Sequence, residues 1–379
     1  MKRWLLCLLF LPTMALAVTE DTVTMCPGGG CDYATWGELA SALHVVGDLD
    51  DYVLNCNYVI ENVNLTVLIQ EGTGWSGANR QNVDITFDGA TTSATCGIKY
   101  VADGNMRFDG VYADAKVTWE HNGNAEPKIY DDYITFEGLV FLHTASLSES
   151  FLLRYAMTGL VIRDCYIGLL PGTTRAASGI NGTVFWHYDA LQTDVTFVNN
   201  VVYELGMWFE YDGDPTYYIY NNLFVWQSDE DGILFQFTPP SGEIVPWYVN
   251  NNIFIIARDY RPAVANITDD TLLSWDNNAT NGDEDSAWYW VDDPRSFLNN
   301  VEFAVMTFTD STAGDWHITA DADSLIDMGK SLASDPFYPF DHDIELEEIT
   351  GTWDIGPDYY VAPASADTPN RRRKVIMQQ

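Results

Sequence analysis

Large apolar residues alternate with polar ones in short runs along most of the chain, and the runs return at a repeating interval. One pattern ends in a turn. It reads Phe87-Asp88-Gly89, Phe108-Asp109-Gly110, Phe136-Glu137-Gly138, Ile162-Arg163-Asp164, Phe197-Val198-Asn199-Asn200, Ile219-Tyr220-Asn221-Asn222, Val249-Asn250-Asn251-Asn252 and Phe297-Leu298-Asn299-Asn300. The spacings are 21, 28, 26, 35, 22, 30 and 48 residues. Such a period marks a repeat architecture, here one coil of a β-solenoid with loops of variable length between strands. Gly or Asn after a short strand signals backbone angles that most residues resist. Stacked Asn200, Asn222, Asn252 and Asn300 are expected to form a ladder of amides bonded from coil to coil.

A second pattern precedes the first. It reads Val117-Thr118-Trp119-Glu120-His121, Phe151-Leu152-Leu153-Arg154-Tyr155, Val184-Phe185-Trp186-His187-Tyr188, Met207-Trp208-Phe209-Glu210-Tyr211 and Ile233-Leu234-Phe235-Gln236-Phe237. Period-2 alternation sends the first, third and fifth residues to the coil interior and the second and fourth outward. Helical periodicity is absent here, and the gaps are too short for crossover helices. The prediction is therefore an all-β chain. At its start, Asp32 to Leu43 has the spacing of a short amphipathic helix that would cover the first open coil. Ala257 to Asp285 reads as an acidic loop that accounts for the longest spacing.

The ends add organisation. Lys2 and Arg3, the apolar run Trp4 to Met14, and Ala15-Leu16-Ala17 form an export signal, so the protein is expected to be secreted. The predicted layout is a signal peptide over 1–17, an N-terminal cap over 18–50, the solenoid over 51–361 and a basic tail over 362–379 ending in Arg371-Arg372-Arg373-Lys374. No apolar stretch has the ~20 residues a membrane helix needs. Cys26 and Cys31 bracket a Gly-rich loop that an oxidising compartment would close as a disulfide. Cys56 and Cys96 offer a second pair, while Cys165, inside a strand pattern, reads as a buried hydrophobe.

Charge narrows the partners. A formal net charge of −37 repels phosphate backbones and argues against nucleic acid. The 13 Trp, 21 Tyr and 18 Phe argue equally against a disordered acidic chain.

Several of these features together resemble a known family. They are the Asp32-Tyr33-Ala34-Thr35-Trp36 start, the Phe-Glu-Gly and Asn-Asn rungs, and the ending Ser324-Leu325-Ile326-Asp327-Met328-Gly329 with Trp353-Asp354-Ile355-Gly356-Pro357-Asp358-Tyr359-Tyr360. The resemblance, over roughly residues 31 to 361, is to the right-handed parallel β-helix repeat proteins of the pectin-lyase-like superfamily, found in secreted bacterial proteins and in phage. It implies a right-handed parallel β-helix. It leaves function open, because that superfamily holds lyases, hydrolases, epimerases, adhesins and phage tail proteins.

Candidate chemistry follows from the outward columns. The second pattern aligns Glu120, Arg154, His187, Glu210 and Gln236, flanked by Phe185 and Trp208. Aromatic faces stack on sugar rings while polar groups bond hydroxyls, so a glycan or cell-surface polysaccharide is the expected partner. In a catalytic version, His187 and Glu210 share a proton and Arg154 stabilises an anionic intermediate, while Trp208, Phe185, Glu120 and Gln236 bind substrate. The first pattern aligns Asp88, Asp109 and Glu137, which one coil apart would have glycosidase-like separations or hold calcium; the same triplets also read as plain strand-to-turn signals. The acidic clusters Asp212-Gly213-Asp214, Asp229-Glu230-Asp231 and Asp283-Glu284-Asp285 are further oxygen-rich loops, and His44, His317 and His342 read as isolated. A rival reading from another class is a noncatalytic structural or adhesive protein, such as a trimeric virion-associated spike whose faces pack subunits.

Overall fold

Strand Val63–Ile69 illustrates the local rule: Leu65, Val67 and Ile69 are fully buried, and the residues between them are partly exposed. The same alternation governs Ile98–Ala102, where Ile98, Tyr100 and Ala102 point inward. The structure, a computed structural model, describes residues 18–26, 30–44, 58–70, 85–112, 118–121, 127–144, 149–153, 157–174, 183–187, 193–210, 216–226, 235–238, 247–256, 264–265, 272–281, 297–298, 300–302, 308–319, 325–336 and 338–358. The export signal, the basic tail and Cys56 lie outside these residues.

Nearly all strands enter three parallel sheets of ten, eight and seven strands. The chain visits them in rotation. Met157–Arg163 lies in the ten-stranded sheet, Tyr166–Gly168 in the eight-stranded one, Thr183–His187 in the seven-stranded one, and Thr193–Val198 returns to the first beside Met157–Arg163. This rotation is compatible with a β-solenoid. The protein is all-β with few helices, and no helix among the described residues is long and apolar enough to cross a membrane.

Register aligns like with like. In the ten-stranded sheet Tyr100, Phe136, Ile162, Phe197, Ile219, Val249, Trp275 and Phe297 form one row. In the eight-stranded sheet Trp119, Phe141, Ile167, Val202, Phe224 and Phe254 do the same. Phe224 and Phe254 stack at 5.2 Å and 7°, and Phe254 continues onto Trp275 at 5.8 Å. Burying each such side chain contributes roughly 1.5–3 kcal/mol, and ring contacts add about 0.5–1.5 kcal/mol.

The row corrects three sequence expectations. Phe87 lies in the seven-stranded sheet and Phe108 lies outside any strand, so neither is a rung of the ten-stranded row. The 48-residue gap is two coils of 26 and 22 residues, because Trp275 pairs with both Val249 and Phe297. The presumed loop 257–285 therefore contains strands Val264–Ala265, Leu272–Asp276 and Ala279–Thr280. Acidic flanks hid a strand that buries Trp275, although Asn277-Asn278 repeats the turn signature. Finally, strand Thr19–Met25 pairs along its length with Val63–Ile69, so the sheet begins inside the segment read as a cap.

Between the ten- and eight-stranded sheets, each coil turns through two residues with separate tasks. The first is left-handed: Gly138 (φ 71°), Asp164 (56°), Asn199 (55°), Asn221 (55°), Asn251 (58°) and Asn277 (56°). Asn and Asp tolerate that region better than other side chains do. The second builds the ladder. Asn200 N–H donates to Asn222 Oδ1 (2.9 Å), Asn222 N–H to Asn252 Oδ1 (2.9 Å), Asn252 N–H to Asn278 Oδ1 (2.9 Å) and Asn278 N–H to Asn300 Oδ1 (2.9 Å). Each of the first four side-chain amides also donates to a strand carbonyl of the preceding coil, as Asn222 does to Phe197 O at 2.8 Å. The ladder ends at Cys165, whose N–H donates to Asn200 Oδ1 at 3.0 Å and whose thiol is buried and pushed up to about 12 by burial. Asn278, in a glycosylation-type Asn-Ala-Thr triplet, is fully buried in this ladder and is no acceptor in the folded chain.

Helix Trp36–His44 covers the first coils as expected, burying Trp36, Leu39, Ala42 and Leu43. Thr35 Oγ1 accepts Glu38 N–H at 3.1 Å, and Glu38 Oε2 reaches back to Ala34 N–H at 3.0 Å, a capping-box arrangement. Cys26 and Cys31 are bonded as a disulfide. After the antiparallel hairpin Phe308–Asp310/Asp315–Ile318, the chain runs back along the left-handed turn residues. Asn277 Nδ2 donates to Met328 O (2.8 Å), Asn251 Nδ2 to Lys330 O (2.7 Å) and Asn199 Nδ2 to His342 O (3.0 Å). The two halves of the C-terminal motif pair here, with Gly329 N–H on Trp353 O at 2.6 Å and Asp327 N–H on Asp354 Oδ1 at 2.7 Å. Leu332, Phe340, Ile349 and Trp353 pack this return segment on Val198 and Tyr220.

Asn222→Leu removes two donated and two accepted bonds inside a fully buried turn. Stranding each buried partner costs about 1–3 kcal/mol, so chemical denaturation should register a loss of about 3 kcal/mol. Asn277→Leu, at the left-handed position, should instead cost about 1–2 kcal/mol through backbone strain and one lost surface bond.

Candidate functional site

The residues read as catalytic or sugar-binding fall mainly in the seven-stranded sheet, whose strands include Pro127–Ile129, Glu149–Leu153, Thr183–His187, Gly206–Glu210 and Phe235–Thr238. For Phe185, His187, Trp208, Glu210 and Gln236 the structure describes strand position and register. Arg154 lies outside the described residues. One row runs Lys128, Leu152, Trp186, Trp208, Gln236 and Ala265. Lys128 is partly exposed and its neighbour Ile129 is buried, so the row follows the register position that Lys128 occupies.

Aligned motifs misplace Phe185, His187 and Gln236, the last of which pairs with Trp208 where the motif alignment sets it beside Glu210. A register shift between Thr183 and Trp186 pairs Trp208 with Trp186, where the motif alignment pairs it with Phe185. Phe185 is paired with Phe151, and His187 with Leu153 in the row of buried Ile129. Glu210 is paired with Thr238. His187 and Glu210 thus occupy adjacent strands without being register partners. A one-residue slip exchanges the two faces of a strand, and no motif comparison detects a bulge. Glu120 belongs to the eight-stranded sheet, where it is partly buried and its Oε1 accepts the Thr144 hydroxyl at 2.9 Å.

The acids Asp88, Asp109 and Glu137 do not form a column either. Exposed Asp88 follows the seven-stranded sheet's Ile85–Phe87. Asp109 lies between strands and its Oδ1 accepts Val111 N–H at 3.4 Å. Glu137 is buried in the ten-stranded sheet within a cluster of ions. Its carboxylate meets Arg107 at 2.9 Å, Arg163 at 2.5 Å and Lys99 at 3.5 Å, and Arg107 bridges onward to fully buried Asp164 at 2.6 Å. Gly138 makes this possible, because a Cβ there would come 2.6 Å from Arg107 Cγ. Burial alone would raise the Glu137 pKa, but the charges of Arg163, Arg107 and Lys99 outweigh it and hold the carboxyl at about 2. Arginine thus supplies the positive charge that the sequence reading gave to calcium.

The same sheet carries a half-buried row that the motifs did not reveal: Lys99, Thr135, Val161, Thr196, Tyr218, Tyr248 and Ser274. Tyr218 and Tyr248 stack at 5.2 Å and 12°. The signal was present in the run Thr216-Tyr217-Tyr218-Ile219-Tyr220, where Tyr217 and Ile219 are buried in the core and Thr216 and Tyr218 are partly exposed.

Near the chain end, His317 and His342 are not isolated. His317 Nδ1 lies 2.7 Å from Asp315 and its Nε2 3.5 Å from Glu345, while His342 approaches Asp164 at 4.0 Å. Buried Asp343 and Asp358 adjoin this group, and burial, with neighbouring acids adding, pushes their carboxyls up to about 8 and about 6.

Glu137→Gln leaves Arg107 and Arg163 short of a counter-charge, so it should destabilise by about 3–5 kcal/mol at neutral pH. Because the folded pKa of about 2 lies below the ordinary 4.5, this contribution is full above pH 4.5 and lost as pH falls toward 2. Denaturation of parent and variant across that window should therefore show their difference shrinking with acidity. In the comparisons with known proteins, no family model matches the chain and no curated protein matches it.

Proposed function

We propose that this protein is an exported right-handed parallel β-helix of the pectin-lyase-like kind that binds glycans along its elongated face. The observation that carries the reading is the pairing of Trp186 with Trp208 on adjacent strands, with Lys128 and Gln236 in the same row. Parallel neighbours lie about 4.8 Å apart. Tryptophans on adjacent strands, in one row with Lys and Gln, are the residue types that suit an extended chain of sugar rings. Right-handedness is supported by the near-universal hand of parallel strand crossovers. The register favours binding over cleavage, since His187 and Glu210 belong to different rows. A noncatalytic adhesive protein remains the second reading for the same reason.

A glycan array with product analysis tests this directly. Trp208→Ala should weaken binding to any captured glycan at least tenfold while leaving the melting temperature within a few degrees. Glu210→Gln should spare binding, and it should abolish turnover if Glu210 transfers a proton. Parent-like binding by Trp208→Ala and Trp186→Ala would remove the glycan face. Trimerisation with no glycan captured would put the adhesive reading in its place.

A further inference from the structure

The turn 343–347 brings three carboxylates together near the end of the chain. Asp343, Glu345 and Glu347 each offer an oxygen, and these lie within 4.8 Å of one another. Ligands on opposite sides of a calcium ion are separated by about twice the 2.3–2.6 Å bond length, so this spread matches one ion. Leu346, with φ 64°, turns the backbone between the last two.

Crowded acids alone would mean little in so acidic a chain. The distinguishing feature is Asp343, which is only 1% exposed. Its Oδ1 accepts N–H groups from Glu345 at 3.0 Å and Glu347 at 2.8 Å. Its Oδ2 is buried without a hydrogen-bond partner among the described residues. In its charged form a buried, half-satisfied carboxyl costs several kcal/mol unless a cation meets it, and without one it takes up a proton. No lysine or arginine pairs with it among the described residues; compensation by arginine, seen at Glu137, is absent here.

We propose that Asp343, Glu345 and Glu347 bind a divalent cation, calcium by the hardness of an all-carboxylate set, and that the ion clamps the end of the chain onto the solenoid. Glutamates can bind through both oxygens and water completes the shell, giving the six to eight donors calcium takes. His317 Nε2 lies 3.5 Å from Glu345 Oε1, and Asp358, whose Oδ2 accepts Ile318 N–H at 2.7 Å, ties this end of the chain to the hairpin. The Ile344 N–H bond to Pro357 O at 2.9 Å closes the same junction. Binding here would fasten the return segment that covers Val198 and Tyr220. This site is remote in sequence from the Trp186–Trp208 row and does not depend on the glycan reading.

The test is calcium chloride titrated into the full chain after chelation, followed by calorimetry and thermal unfolding. The parent should bind one tight equivalent and gain a saturable rise in melting temperature, which sodium chloride at matched ionic strength does not reproduce. Asp343→Asn keeps the shape and the accepted N–H bonds but removes the charge. It should be no less stable than the parent in chelator, should weaken calcium binding at least tenfold, and should lose the calcium-dependent rise. Glu347→Gln should weaken binding in the same direction with its fold intact. Absence of saturable binding to the parent, or a full calcium response in both variants, would overturn the proposal.

Discussion

Everything in this protein depends on parallel strands stacking in register through one kind of corner. The corner must turn the chain from one sheet to the next within two residues and give the buried backbone N–H groups there an acceptor. A left-handed residue makes the turn, and the asparagine after it satisfies the backbone of its neighbours. Buried backbone N–H groups at five successive corners are met this way, from Cys165 to Asn278. The ladder also specifies register, because a slip of one residue would put a left-handed side chain inside and strand the amide outside.

The outward-facing turn residues then do something the ladder cannot. Asn199, Asn251 and Asn277 each donate to a backbone carbonyl of the return segment, so the left-handed column is a track along which the chain end runs. The track gives the end of the chain a defined path from coil to coil, and the Leu332–Phe340–Trp353 group seals it against the sheet. In the coils nearer the N-terminus, where the turn residues are Gly138 and Asp164, the asparagine pattern gives way to the Arg107–Glu137–Arg163–Asp164 ion cluster. Both solutions meet the same requirement, which is to satisfy polar groups at a buried corner. The ionic one requires complete pairing, because any unpaired member would carry a desolvated charge.

The proposed glycan face rests on the same register. A binding face on a solenoid consists of residues brought together only by stacking, so a single bulge changes its membership. The shift in Thr183–His187 replaces Phe185 by Trp186 beside Trp208 and moves His187 out of the row of Glu210. His187 and Glu210 are thereby register partners of other residues and not of each other.

What the sequence alone determined is the architecture's period: the alternation of apolar residues, the Asn-Asn corners, the helix observed over Trp36–His44 and the Cys26–Cys31 disulfide were all legible, because each is set by local chemistry within a few residues. Even the coil missed at Trp275 carried its Asn277-Asn278 mark, overlooked because acidic flanks outweighed it. Tertiary structure alone decided which of two adjacent asparagines turns the chain and which joins the ladder. It also decided that Glu137 faces arginines where an ion was expected, and that His317, Asp343 and Glu345, up to 28 residues apart, share one junction. The physical reason is that these outcomes depend on register and on the path of the returning chain. Both are fixed by contacts between segments far apart in sequence, and no local pattern encodes them.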